Sequence, residues 1–370
     1  MRLIPPTLLL VAAPAGSLPR CCRGLRRPPL TMSQQSLQFG LSRLEAAAVR
    51  PNTARNYLRA ATLFAATMLH WGLTWNSEAE LDAVVLKFLD ALFDDNEPHA
   101  QGDLLLASLR HMLGLRAALP RSSRALRGWR RLRPARQRLP MPRAAVLAIC
   151  GWMLYHGLVR MAVATALTFV AYLRPAEALA LRQDHLVHPV PGINHWGLIL
   201  HDSALQVPGK TGMWDAAVEI DQDNWLLPAL EALFLGLPPR ASLWDFQAHQ
   251  WRSQFQAAAA ALQLDAISNH LYSLRHGGAS DDLLGKRRPL DAIRERGRWM
   301  SDASLRRYAK ATLLQREVSK VPVAVLTYGS LVQANFTQMI VAAGAGKELP
   351  VRLPLLRAGE QARKRQARAV

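Results

Sequence analysis

Tyr272-Ser273-Leu274-Arg275-His276-Gly277-Gly278-Ala279-Ser280 sets an Arg-His pair at the start of a helical segment, directly before Gly-Gly-Ala. A plain core helix rarely needs that combination. Downstream come Gly297-Arg298-Trp299 and, nine residues after the tryptophan, Tyr308. Upstream stands Leu173-Arg174-Pro175-Ala176-Glu177-Ala178-Leu179-Ala180-Leu181. Two arginines, a large aromatic ring with an N–H and a tyrosine, in this order, suit one task. They can hold a phosphodiester between two guanidinium forks and attack it with a phenol oxygen.

The segments around these boxes read as mostly helical. After Pro51-Asn52-Thr53, read as an N-cap, Tyr57, Leu58, Ala61, Leu63, Phe64, Met68 and Leu69 recur at helical spacing up to Gly72. Ser77 and Glu80 form a capping box for a second helix with Leu81, Val84, Val85, Phe88, Leu89 and Leu92 along one side. A third helix is predicted over 101–119. Residues 144–182 are helical again. Between 187 and 222 the pattern changes to alternation (Trp196, Leu198, Leu200, then Leu205, Val207, Val218, Ile220) around glycine-rich turns, which predicts a small antiparallel sheet. Helices resume from about Asn224 through Tyr308. The fold class is therefore mainly α (α+β), with two helical domains and one small sheet.

The 370 residues carry a net charge of +19 and a pI near 11.0, which points to a polyanionic partner, nucleic acid first. The charge is unevenly placed. Residues 1–44 carry +6 with no acid, 116–143 carry +10 with no acid and 346–370 carry +5, leaving −2 for the rest. The Arg- and Pro-rich stretch 120–143 reads as a basic linker whose Arg121, Arg124, Arg127, Arg130, Arg131 and Arg133 neutralise DNA phosphates. The predicted divisions are a disordered basic extension or targeting segment (1–39), a helical DNA-binding domain (40–119), the linker (120–143), a catalytic domain (144–320) and a C-terminal segment with a basic tail (321–370).

Cys21, Cys22 and Cys150 have neither disulfide-framework nor zinc-site spacing, so no metal or cofactor is expected. No apolar run reaches the length of a membrane span. The Arg-rich start before Met32 reads in three ways: a secretory signal, an organellar transit peptide, or an extension ahead of a working start at Met32. Gly209-Lys210-Thr211 lacks the glycine of a phosphate-binding loop, because Ala204 stands at that place.

The boxes resemble those of the tyrosine recombinase (phage-integrase) family, over about residues 40–320 and most clearly after residue 165. The resemblance implies a helical, SAM-like core-binding domain followed by a catalytic domain. It implies that Arg174 and Arg275 hold the scissile phosphate, that Lys210 in a hairpin turn protonates the leaving oxygen, that Trp299 packs on and hydrogen-bonds the phosphate, and that Tyr308 is the nucleophile. A phenol of reference pKa about 10 needs such a cationic pocket to lose its proton. The family's second box has histidine three residues before its arginine, where this chain has Tyr272; His276 and His270 stand nearby at other spacings. His276 is also a candidate DNA contact. Double-stranded DNA as partner, a homotetramer on DNA, a role in integration or excision of mobile elements, and a nuclear location in a eukaryotic host all follow from the resemblance. Two other readings stay open: a DNA-binding protein that kept the fold without the chemistry, and a type IB topoisomerase-like nicking enzyme.

Overall fold

The computed structural model describes residues 42–113, 119–134, 139–192, 195–201, 216–221, 224–264, 267, 270–299, 311–354 and 356. The chain divides into two compact units, with the boundary between Gln137 and Arg138.

The first unit contains α1 (Arg43–Ala47), α2 (Pro51–His70), α3 (Glu78–Asp94), α4 (His99–Leu113) and α5 (Pro120–Leu132). Its core joins Phe64, Met68, Trp75, Phe88, Leu89, Leu105, Leu109, Leu126 and Trp129. The sequence reading of the helix starts holds with adjustments. The cap of α2 is Arg50, with Pro51 at the first helical position, where its missing N–H costs nothing. Ser77 caps α3 by accepting from the Glu80 N–H at 3.2 Å, but the Glu80 carboxylate accepts from the Asn76 N–H at 2.7 Å instead of closing the box on Ser77.

The expectation of a linker over 120–143 is corrected in its first half: thirteen of its residues are helix α5. Ser122, Leu126 and Trp129 fall at helical spacing and bury one side of α5 against the first unit, a pattern hidden in the sequence by the arginines between them. The start of α5 is capped from outside. Asp82 of α3, 3% exposed, accepts from the Arg121 N–H and the Ser122 N–H, each at 2.9 Å, and from the Ser122 hydroxyl at 2.5 Å. Removing that acceptor leaves two helix-start N–H groups unpaired. Asp82→Ala is therefore expected to weaken α5 by about 1–2 kcal/mol. Hydrogen exchange on the full chain checks this, through lost protection of the Arg121 and Ser122 amides while those of α2 stay protected.

The second unit is built around α6 (Arg143–Tyr155), a helix buried on nearly all sides. It packs against α7 (Val159–Val170), α10 (Ala248–Ala261), α11 (Tyr272–Leu284), α14 (Val323–Ala334) and α15 (Phe336–Gly344). Short α8 (Pro175–Leu179) follows α7, then a single turn and the sheet β1 (Leu186–Val187), β2 (Trp196–His201) and β3 (Ala216–Ile220). The sheet is antiparallel in the order β1-β2-β3, with Leu186 opposite Leu198 and Leu198 opposite Val218. Leu198, Val218 and Ile220 turn into the core while Glu219 faces out, the alternation the sequence predicts. Leu205 and Val207 lie outside the described residues. The unit also contains α9 (Leu227–Phe234), α12 (Leu290–Arg296) and α13 (Ala311–Val318). The apolar stretch 321–340 is helical and packs within its own unit, α14 lying along α6. No helix among the described residues is long and apolar enough to cross a membrane.

Candidate active site around Glu177

Two helix ends and two helix starts build this site. Helix α7 ends in a hydrogen-bonded Schellman turn: Leu173 N–H donates to the Thr168 carbonyl at 3.1 Å, and Tyr172, where glycine is usual, takes φ +47°. The chain then leaves in extended conformation at Arg174, and Pro175 opens α8. Glu177, three residues on, accepts the Arg174 backbone N–H at 2.7 Å and also binds the Arg174 guanidinium. The stretch 173–181 is therefore a turn and a helix start, which hold Arg174 inward at 15% side-chain exposure rather than on a helix surface.

Arg275 lies in the first turn of α11 and is completely buried. Helix α11 reaches this depth because two positions carry no side chain: a Cβ on Gly278 would stand 2.0 Å from the Phe169 carbonyl oxygen, and one on Gly277 would stand 2.4 Å from that of Met141. The Arg275 guanidinium donates through Nη1 to the Tyr172 carbonyl at 2.5 Å and through Nη2 to the Gly297 carbonyl. The backward-turned backbone of Tyr172 is thus what the second arginine is seated on. Tyr172 is anchored at its other end as well, its hydroxyl donating to Asp282 at 2.5 Å, and Asp282 in turn accepts from Arg287 and Arg288.

Helix α12 ends in a second turn of the same kind. Trp299 N–H donates to the Arg294 carbonyl at 3.1 Å, and Arg298 takes φ +54°. A left-handed conformation at a residue with a side chain costs about 1–2 kcal/mol. The turn lays the Trp299 ring over Gly297, where any Cβ would overlap it, and places that ring 4.7 Å from the Arg275 guanidinium carbon and 6.2 Å from the Tyr172 ring. The Arg298 guanidinium turns back to Glu177, donating to Oε2 at 2.7 Å.

Three guanidinium groups therefore face one carboxylate, 7% exposed: Arg174, Arg298, and Arg275 at 4.0 Å. Burial pushes the Glu177 carboxyl up, but the Arg298 charge, the Arg174 N–H and the Arg174 charge outweigh it and hold the group below the ordinary carboxylate range. Burial, then the like charges of Arg298 and Arg174, bring Arg275 down to about 10. Among the described residues, the buried Nε–H groups of Arg275 and Arg298 find no hydrogen-bond partner. Among those residues the pocket is short of negative charge and of acceptors, and an anion supplies both.

Of the residues singled out in the sequence, Arg174, Glu177, Arg275 and Trp299 come together here. Tyr272 begins α11, half-buried, with its ring 5.0 Å from that of His276 and its hydroxyl in electrostatic reach of Arg275. Lys210 and Tyr308 lie outside the described residues. In the first unit, Arg121, Arg124, Arg127 and Arg131 are exposed on the side of α5 away from its buried face. Arg130 instead pairs with Asp103, and Arg133 lies over the Phe93 ring at 3.8 Å and donates to the Phe93 carbonyl. No role could be read in sequence for Arg298 or Tyr172, since nothing there marks a non-glycine residue for the left-handed region; the signals were that Arg298 stands beside Trp299 and Tyr172 two residues before Arg174.

No protein-family model matches the chain, and no curated protein matches it. Among solved structures, the XerH site-specific recombinase bound to difH substrate in a pre-cleavage complex aligns over 84% of this chain and 95% of its own. The identity is 15% and the TM-score 0.39, a superposition too loose to carry an argument.

Proposed function

We propose that this chain is a DNA-breaking and rejoining enzyme of the tyrosine recombinase type. The observation that carries the reading is the meeting of Arg174 and Arg275, 101 residues apart in sequence, at one buried glutamate beneath Trp299. In the proposed reaction the Tyr308 hydroxyl gives up its proton to solvent and attacks phosphorus. A phosphotyrosyl bond forms at the DNA 3′ end, and the bond to the 5′ oxygen breaks. Lys210 gives its proton to that leaving oxygen, and the reverse sequence reseals a strand. Arg174 and Arg275 stabilise the charge on the non-bridging oxygens, permanently charged and fork-shaped. Charge stabilisation and proton transfer are then both supplied by side chains, so neither a metal nor ATP is required. The bond energy is retained in the intermediate.

Double-stranded DNA is the partner, tracked in the first unit by Arg121, Arg124, Arg127 and Arg131 of α5, with Arg130 and Arg133 at its end and His276 beside the site. The family's habit supports a homotetramer on DNA, integration or excision as the outcome, and a nuclear location in a eukaryotic host.

A second reading is favoured by two observations. Tyr272 stands where the family has histidine, and both terminal nitrogens of Arg275 are engaged by backbone carbonyls. On that reading the protein binds DNA without cutting it. Nicked suicide duplexes, offered as a random-sequence pool in chelator and without ATP, separate the two. A denaturant-resistant protein–DNA adduct is the expected result. Binding across the pool with no adduct would establish the second reading instead.

A further inference from the structure

We propose that Arg298 is a positioning residue of this site: by taking a lone pair of Glu177 it keeps that carboxylate off Arg275 and leaves the pocket its excess of positive charge. The inference rests on the strand-transfer reading and deepens it.

The geometry is a competition for one oxygen. Glu177 Oε2 accepts from the Arg174 N–H and from Arg298 Nη2, each at 2.7 Å, while Arg275 Nη1 stands 4.0 Å from the same atom. With Arg298 gone, Arg275 is the cation among the described residues placed to fill the vacancy, at the expense of its bonds to the Tyr172 and Gly297 carbonyls. Arg298 is itself fixed by a bond to the Arg296 carbonyl at 3.1 Å, so its head group cannot wander. Its backbone supplies an independent argument. Of the seven non-glycine residues with positive φ among the described residues, Tyr172 and Arg298 both give groups to this one pocket, and each sits where glycine would relieve strain. A strained turn that keeps an arginine in place of glycine is using the side chain. Among the described residues, the charged groups that face Glu177 include Arg174 from the extended turn before α8, Arg275 from α11 and Arg298 from the turn after α12, with Tyr272 acting through Arg275.

The test compares the full-length chain with Arg298→Gly and Arg298→Lys. Glycine suits φ +54° better than arginine, so the turn itself is not threatened. The first measurement is thermal unfolding against pH, which needs no activity. A carboxylate held low contributes stability that is present above its ordinary value and lost as pH falls through the lowered value. In Arg298→Gly the burial of Glu177 is opposed by less positive charge, so the acid limb moves up by about one pH unit. Arg298→Lys keeps the charge and the wild-type limb. The second measurement is the rate of adduct formation at saturating protein. In Arg298→Gly it falls about a hundredfold, as expected for a misplaced catalytic group. Its acid limb shifts in parallel, DNA affinity is unchanged within about threefold, and Arg298→Lys recovers part of the rate. An Arg298→Gly chain that keeps the wild-type acid limb in unfolding overturns the inference. A shifted unfolding limb with no adduct from the wild type retains the Arg298–Glu177 coupling and removes the strand-transfer reading instead.

Discussion

Arg275→Ala is expected to destabilise the second unit by about 2–4 kcal/mol and to abolish measurable adduct formation. Both effects come from the same two bonds. The guanidinium is wholly buried and serves the carbonyls of Tyr172 and Gly297. Losing a charged donor to a buried carbonyl costs about 1.5–3 kcal/mol each. Part of that is returned, because Arg275 is repelled by Arg298 and Arg174 and its removal lowers the local excess of charge. The catalytic loss has a separate origin: one missing donor to a developing oxyanion costs about a hundredfold to a thousandfold. Arg275→Lys divides the two. A lysine keeps the charge but has no planar fork, so it cannot serve both carbonyls and the phosphate together. It is expected to regain part of the stability and little of the rate. Denaturant unfolding and adduct kinetics check each half, and an alanine variant as stable as wild type would show that the seat of Arg275 is not as described.

Gly278→Ala is expected to cost about 3 kcal/mol, against the direction of helix propensity. In an isolated helix alanine is better than glycine by about 1 kcal/mol. Here the added carbon would stand 2.0 Å from the Phe169 carbonyl oxygen and 2.7 Å from the Tyr172 ring. The first is backbone at the end of α7, and the second is pinned through its hydroxyl to Asp282, so neither can yield cheaply. Forcing α11 outward also lifts Arg275 from the Tyr172 carbonyl, so activity falls with stability. Gly128→Ala is the control. It lies within α5 with nothing inside 4 Å of the added carbon, and there the propensity gain of up to about 1 kcal/mol should appear. Because the two units can melt separately, the transitions are followed by hydrogen exchange in α11 and α5 respectively.

These residues also show how far sequence alone reaches. Arg174, Glu177, Arg275 and Trp299, which the structure brings together, could be picked out because the resemblance to the tyrosine recombinase family expects side chains of these types at these separations. The small sheet was legible from alternation in Trp196, Leu198, Val218 and Ile220. Helix α5 was not, since its buried face is only Ser122, Leu126 and Trp129, and the arginines around them read as a solvated connector. Arg298 and Tyr172 were hidden for another reason. Their roles come from left-handed turns whose usual residue is glycine, and a strained exception leaves no mark in composition or period. The carbonyl that seats Arg275 is a backbone atom, which no side-chain pattern can announce.

The central claim is covalent attachment of DNA at Tyr308. The most direct measurement digests the adduct formed on a suicide duplex and maps the DNA-linked peptide by mass spectrometry, with Tyr308→Phe run alongside. The account predicts a 3′-phosphotyrosyl link on Tyr308 in the wild type and no adduct in the phenylalanine variant. A link at any other residue, or an adduct of undiminished yield from Tyr308→Phe, would contradict it.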